Sequence, residues 1–165
     1  MTSELEPRPV GDSSSELIRW MGVQDANSAG FVHGGIVMKT CDEAAAIAAI
    51  RHCRLRVVTA GMDRMTFTEP VHIGELLRCT ASVNAAWRTS MEVGVRVEAE
   101  NPVTGQIRHT STAYVTMVGL DDAGRPTPIP PATAVSEDEQ RRQREAELRR
   151  ANRLSERDQI LSDRS

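Results

Sequence analysis

The stretch from Gly34 to about His52 constrains the fold of this chain more than any other segment. It is rich in strong helix formers, including the run Ala-Ala-Ala-Ile-Ala-Ala-Ile at 44–50, and no glycine or proline interrupts it after Gly35. Its apolar residues fall on nearly every side of the helix rather than on one stripe. Because a surface helix keeps a polar face, a helix of this kind must be enclosed by other structure. The sequence therefore predicts one long central helix around which the rest of the domain is wrapped.

The wrapping structure is predicted to be an antiparallel sheet. A short apolar run, 17–21, precedes the helix, and alternating apolar and polar residues follow it at 79–87 and 91–99. A further run, 107–120, is rich in threonine and valine, which favour strands. Turn-forming residues at 101–105 and before the first alternating run separate these strands. One strand, a buried helix and about four further strands define an α+β domain.

Composition divides the chain into three parts. Residues 1–15 mix proline, glycine and serine with charge, so we expect a flexible N-terminal arm that buries little apolar surface. The domain extends over 16–131 and ends in a cluster of prolines. The remainder, 132–165, is a charged tail rich in arginine and glutamate, for which a helix is expected. With few apolar residues to bury, that helix is either solvated or in contact with another subunit.

The charge balance argues against several classes of partner. The formal net charge is −3 at pH 7, and the arginine-rich tail carries as many acidic as basic residues, so no electrostatic binding of nucleic acid is expected. No segment has the ~18 consecutive apolar residues that a membrane span needs, and the N-terminus lacks the apolar core of a signal peptide. The sequence therefore predicts a soluble, cytoplasmic protein. The 3 cysteines and 4 histidines lack ligand spacing, so no metal site is expected.

The most unusual residue is Asp42, an acid inside the helix that is predicted to be buried. A buried carboxylate without a partner is costly. One interpretation is that Lys39 pairs with Glu43 at i,i+4 on an exposed patch while Asp42 points elsewhere. The other is that Asp42 faces a pocket as a general base or a nucleophile, since a desolvated carboxylate is an effective proton acceptor.

Two further polar features flank the start of the helix. His33-Gly34-Gly35 stands directly before it, where glycine allows a ligand to approach the backbone and the first helical N–H groups lack intrahelical partners. Such a terminus can hold an anion or polarise a carbonyl group. Asn27, in a polar loop, can present its amide to a water molecule or a carbonyl. The absence of GxSxG and HExxH argues against a triad hydrolase and a metalloenzyme.

Several short motifs follow one another along the chain. They are Asp25-Ala26-Asn27, the segment 30–35, Met38, Asp42, Val57-Val58-Thr59-Ala60, Asp63, Phe67, Pro70-Val71, Gly74 and Thr89-Ser90-Met91-Glu92-Val93. Together they resemble the hotdog-fold acyl-CoA thioesterases, and within these the brain-acyl-CoA-hydrolase-like group, over about residues 17–130. The resemblance implies a hotdog fold, in which an antiparallel sheet wraps around one long helix. It also implies homodimers whose sheets join edge to edge, and hexamers that are trimers of such dimers.

The resemblance implies hydrolysis of acyl-CoA thioesters to free CoA and a carboxylic acid. No metal or organic cofactor is implied, and coenzyme A is part of the substrate and the product. The implied catalytic residues are Asn27 and Asp42, which meet between two subunits, and Gly35, whose N–H contacts the thioester oxygen. The residues implied to lie near the substrate are His33, Gly34, Thr59, Arg88, Thr89, Ser90 and Met91. Trp87 stands where this group often has glycine, which is a departure within the CoA-binding segment.

Two other functions stay open at this point. A non-catalytic acyl-CoA sensor or scaffold would keep the fold and use the charged tail to contact a partner, although this chain retains both Asn27 and Asp42. A hotdog dehydratase would need a histidine and an acid beside the α and β carbons of the acyl chain. His33 and Asp42 are not spaced in that pattern.

Overall fold

A computed structural model of the protein describes residues 5–163. Two short 3-10 helices, Val10–Ser13 and Val23–Asp25, accompany two α-helices and seven strands. The longer elements in chain order are β1 (Arg8–Pro9), β2 (Ser15–Trp20), α1 (Gly34–Cys53), β3 (Arg56–Met62), β4 (Leu76–Ala86), β5 (Ser90–Glu100), β6 (Ile107–Leu120), β7 (Ala132–Thr133) and α2 (Glu137–Ser162). The predicted central helix and the four strands that follow it are confirmed.

A five-stranded antiparallel sheet forms the body of the protein, with the strand order β2-β4-β5-β6-β3. Side chains alternate between its two faces because successive residues of a strand point to opposite sides. On β5, the inward residues 91, 93, 95, 97 and 99 have none of their surface exposed. The alternation predicted from sequence is therefore confirmed, and β3 and β2 form the two edges of the sheet.

Helix α1 lies against the inner face of this sheet through small side chains. Ala44, Ala45, Ala48 and Ala49 are fully buried there, and their short side chains let the helix backbone approach the strands closely. The opposite side of α1 is open: Met38, Ile47 and Ile50 are exposed by 41 to 45%. The expectation of complete enclosure is therefore wrong for a single chain, because five strands cover only one side of the helix.

The N-terminal arm is more ordered than its composition predicts. Residues 1–4 lie outside the described part of the chain, but Arg8–Pro9 pair in parallel with Ala132–Thr133. Val10 is buried, and the buried Ser13 hydroxyl accepts a hydrogen bond from Val83 N–H at 2.8 Å. The arm is held because it meets the end of the domain, a long-range contact that local composition does not reveal.

Helix α2 begins with a capping box. The Ser136 hydroxyl accepts from Glu139 N–H, and the Glu139 carboxylate accepts from the N–H groups of Ser136 and Val135, each at 2.8 Å. These backbone hydrogen bonds, first that of Ser136, lower the pKa of Glu139. Because the pKa of Glu139 is lower in the folded state, the ionised side chain stabilises the fold at pH values above the ordinary pKa of a glutamate. This stabilisation is lost as pH falls through the lowered pKa.

Although α2 is highly charged, it docks on the outer face of the sheet. Ala146 is fully buried against it, and Arg149 reaches Glu92 of β5, a carboxylate with none of its surface exposed. Two hydrogen bonds, of 2.7 and 3.1 Å, join the guanidinium to the two oxygens of Glu92, and Asn84 donates a third at 3.0 Å. The guanidinium also stacks on Tyr114, 3.6 Å from the ring centroid. The tail is thus helical as predicted, but it covers a buried acid rather than lying free in solvent.

We expect Arg149→Met to lower the free energy of unfolding by about 3 kcal/mol, because it leaves the buried Glu92 without its main cationic partner. Arg144, an exposed residue of the same helix, provides the control, and Arg144→Met should change stability by less than about 0.5 kcal/mol. Urea denaturation of both variants measures the difference. Equal stability of the two would show that the Glu92 pair does not hold α2 in place.

Candidate active site

His33 caps the N-terminus of α1. Its side-chain Nδ1 accepts a hydrogen bond from Gly35 N–H at 2.9 Å, and its backbone N–H donates to the backbone oxygen of Asp25 at 2.8 Å. A Cβ atom at position 35 would lie only 3.0 Å from His33 Nδ1, so the turn requires the close approach that glycine permits. His33 is exposed. Gly35 N–H can therefore serve an incoming acceptor once the imidazole gives up this hydrogen bond.

Asn27 is held by the turn that precedes α1. Its Oδ1 accepts from Ala29 N–H at 2.9 Å and from Phe31 N–H at 3.1 Å, and Gly30 adopts a left-handed φ of 84° to complete the turn. These two acceptor contacts fix the orientation of the amide. Within residues 5–163, the Nδ2 group has no hydrogen-bond partner. It is therefore a fixed donor available to a ligand.

A cavity of about 300 Å³ opens beside Asn27. Gly34 and the polar residues Thr68 and Glu69 also border it. Its apolar lining consists of Phe31, Val32, Val37, Phe67, Pro70 and Val71. A largely apolar pocket with one oriented amide at its margin suits a ligand that has an apolar chain and a polar group at one end.

Asp42 is half-buried and has a partner of its own. The Thr59 hydroxyl of β3 donates a hydrogen bond to Asp42 Oδ1, and the same hydroxyl oxygen lies 3.5 Å from Met117 Sδ. Lys39 pairs with Glu43 at 3.8 Å on the exposed side of the helix. The ion pair considered in the first interpretation is present, and it leaves Asp42 oriented by Thr59 at the edge strand.

The turn between β4 and β5 carries the remaining predicted residues. Arg88 is exposed, and Thr89 and Ser90 are half-buried. Backbone hydrogen bonds of 3.0 Å from Ile129 to Arg88 O and from Gly119 to Thr89 O hold the turn. Met91 differs from the others because it is fully buried in the core, paired across strands with Met117. Only the first three of these four residues have surface for contact with a ligand.

The predicted residues form two groups within one chain. Asn27, Gly34 and Gly35 lie at the start of α1, whereas Asp42 and Thr59 lie further along it. Gly35 and Asp42 are seven residues apart, which is about 10 Å along the helix axis at about 1.5 Å per residue. Asn27 and Asp42 share no hydrogen bond among the described residues. One chain therefore does not bring both groups to a single atom.

The cavity reveals residues that sequence reasoning did not assign to a site. Val37 and Phe67 line it, yet Val37 looked like an ordinary core residue. Phe67 carries a usable signal, since it is one of only 2 phenylalanines and stands in a polar loop. A large aromatic residue in such a loop is a candidate for ligand contact.

Residues 5–163 contain neither a metal-binding cluster nor a helix suited to span a membrane. Over residues 5–163, no group of three or more His, Cys, Asp or Glu side chains is placed to hold a metal ion. The cysteines Cys41, Cys53 and Cys79 are buried free thiols. No helix in the described part of the chain is long and apolar enough to cross a membrane.

Comparison with known proteins places the chain in a family. Residues 29–106 match the Thioesterase superfamily. The cytosolic acyl coenzyme A thioester hydrolase of Rattus norvegicus is 37% identical over 139 residues, which is 83% of this chain and 36% of the rat protein. The chain thus spans about a third of the length of that relative. An apo-hexameric acyl-CoA thioesterase superimposes with a TM-score of 0.88 at 35% identity, covering 92% of this chain and 97% of the other.

An acyl-CoA hydrolase from Staphylococcus aureus, solved with butyryl coenzyme A, coenzyme A and coenzyme A disulfide, superimposes with a TM-score of 0.82. It is 29% identical, and the match covers 96% of this chain and 99% of that one. Structures of its mutants replace an aspartate, a threonine and an asparagine with alanine. The protein described here belongs to the thioesterase superfamily, and the predicted hotdog fold is confirmed.

We expect His33→Ala to lower the free energy of unfolding by about 1 kcal/mol, because it removes the side-chain acceptor at the N-terminus of α1. His33→Asn should keep most of the stability, since an asparagine oxygen can accept the same N–H. Thermal or urea denaturation distinguishes the variants. If both match the unaltered protein, the His33 cap does not contribute to the stability of the helix.

Proposed function

We propose that the protein hydrolyses acyl-CoA thioesters to free CoA and a carboxylic acid. One observation carries the proposal. The asparagine, aspartate and threonine replaced in the S. aureus acyl-CoA hydrolase are separated by 15 and 17 residues, and Asn27, Asp42 and Thr59 have the same spacing here. The oriented amide of Asn27 and the hydrogen bond between Thr59 and Asp42 support a chemical role for these three positions.

In this reaction Asp42 is the general base or the nucleophile. As a base, it takes a proton from a water molecule, whose oxygen attacks the thioester carbon. The carbon–sulfur bond then breaks, the acid is released, and the CoA thiolate takes up a proton. Negative charge grows on the thioester oxygen during the attack, and donors such as Gly35 N–H and Asn27 Nδ2 stabilise it. The Thr59 hydroxyl holds the Asp42 carboxylate in orientation.

The active site forms between two subunits. A reacting atom must lie about 3 Å from both the attacking group and the oxyanion donors, and about 10 Å of helix separates Gly35 from Asp42 in one chain. Asn27 and Gly35 of one subunit therefore face Asp42 of the partner subunit. The geometry of the open surface supports this pairing, since Met38, Ile47 and Ile50 are exposed on α1 next to the edge strand β3.

The proposed assembly is a dimer joined at the β3 edges, and three such dimers form a hexamer. An exposed Val58 on β3 favours pairing at this edge, because an unpaired strand with an apolar surface tends to associate. One structural relative is a hexameric acyl-CoA thioesterase. The relative from rat is named as cytosolic, which supports a cytoplasmic location for this protein as well.

The cavity beside Asn27 is proposed to take the acyl chain, and the β4–β5 turn to contact the CoA moiety. Phe31, Val37 and Phe67 provide apolar surface for the chain. The exposed Arg88 can form charge-assisted hydrogen bonds with a phosphate group. The proposed reaction uses neither a metal nor an organic cofactor, because the carboxylate and water supply the proton transfers and N–H donors stabilise the charge on the thioester oxygen.

We expect Asp42→Asn to reduce kcat for thiol release from acyl-CoA by about 10² to 10⁴-fold, because an amide cannot accept the proton of the attacking water. Release of free thiol from acyl-CoAs of graded chain length measures this directly. Glu43→Gln is the matched control: it changes the neighbouring acid, which pairs with Lys39 on the exposed face, and should leave kcat within about twofold.

Hydrolysis by the unaltered protein together with unchanged turnover in Asp42→Asn would contradict the assigned role of Asp42. If the unaltered protein releases no thiol from any acyl-CoA but binds these compounds, the protein is a sensor rather than an enzyme. The first result would thus refute the role of Asp42, and the second would refute hydrolysis itself.

A further inference from the structure

The segment 63–70 links β3 to the wall of the acyl cavity. It carries Phe67, and a Cβ atom at Gly34 would lie 3.6 Å from Phe67 Cζ, so this ring covers the start of α1. Thr68 anchors the C-terminal part of the segment to β6, because its N–H and its hydroxyl both donate to Thr110 O at 2.9 Å. The residues between this anchor and Asp63, which include Phe67, are therefore restrained also by whatever holds Asp63.

Helix α2 holds the N-terminal end of the segment, at Asp63. Arg153 Nη1 lies 2.7 Å from Asp63 Oδ2, and Asp63 N–H donates to Tyr114 O at 2.9 Å. Asp63 is therefore fixed by its backbone to β6 and by its side chain to α2. The next residue, Arg64, makes only an exposed contact of 3.5 Å with Glu156, a pair of the kind that contributes little.

The Arg153–Asp63 pair is not an ordinary surface ion pair. Their side chains are only 31% and 18% exposed, and Arg153 Nη1 lies 3.7 Å from Glu92 Oε2. Glu92 is the buried carboxylate that Arg149 also binds, so Arg153 belongs to the same ionic contact between α2 and the sheet. A network of this kind is more rigid than isolated pairs, because each member restricts the orientation of the next.

We propose that Arg153 is a positioning residue for the acyl chain: through Asp63, helix α2 holds the segment 63–70 closed over the cavity beside Asn27. Helix α2 lies outside residues 29–106, which match the superfamily, whereas the structural match to the apo-hexameric acyl-CoA thioesterase covers 92% of the chain and therefore extends into this helix. The inference rests on the proposed function. Because Phe67 offers apolar contact along the acyl chain, the contribution of the segment to binding grows with chain length.

The test compares Arg153→Met with Arg144→Met. Methionine keeps the apolar stem but removes the charge, and Arg144 is an exposed control residue on the same helix. For long-chain acyl-CoA we expect Arg153→Met to raise KM about tenfold with kcat within about threefold, the equivalent of 1.4 kcal/mol of binding. Acetyl-CoA should show little change in KM, and Arg153→Lys should restore part of the long-chain affinity.

Amide hydrogen exchange of the segment 64–69 supplies a readout that does not depend on activity. Exchange should be faster in Arg153→Met and in Asp63→Asn than in Arg144→Met, and the two former changes should not be additive in the double variant. Unchanged exchange in both single variants, or an equal loss of kcat for all chain lengths, would overturn the inference. Absence of hydrolysis by the unaltered protein would refute the proposed function alone, and the exchange data would still decide whether α2 holds the segment.

Discussion

The close packing of α1 on the concave face of the sheet is the contact on which the rest of the structure depends. Four fully buried alanines let helix and strands approach, and larger residues there would push the helix outward. With its position set, the helix presents its N-terminus beside Asn27 and brings Asp42 to the Thr59 hydroxyl of the edge strand. The same packing leaves one side of the helix open, and there we propose that a second subunit completes the site.

On the outer face of the sheet, ion pairs rather than apolar packing hold the helix α2. Its central acid, Glu92, lies beneath α2 and is bound by Arg149, with Arg153 extending the network to Asp63. A buried carboxylate is tolerated only with such partners, so the polar outer face and the arginine-rich helix require each other. Packing on the inner face thus positions the residues that are proposed to be catalytic, and the outer network reaches the wall of the cavity in which the acyl chain is proposed to bind.

Much of this architecture could be predicted from sequence because its signals are local. The alanine-rich run predicts α1, and the period-two pattern of 91–99 predicts β5 and its inward face. The docking of α2 could not be predicted, since Arg149 and Glu92 are distant in sequence and each resembles a solvated residue. The cap formed by His33 and the contact between Asp42 and Thr59 likewise depend on tertiary placement. The candidate residues were found largely because their motifs resemble a known family.

The account is tested most directly by mixing two inactive variants, Asn27→Ala and Asp42→Asn, after dissociating and reassembling them together. If the site joins Asn27 of one subunit with Asp42 of the partner subunit, each mixed dimer contains one intact site. Random pairing then makes about half of the dimers mixed and restores about one quarter of the unaltered thiol release. No recovery in dimers shown to be mixed would contradict the account, because both residues would then act within one chain.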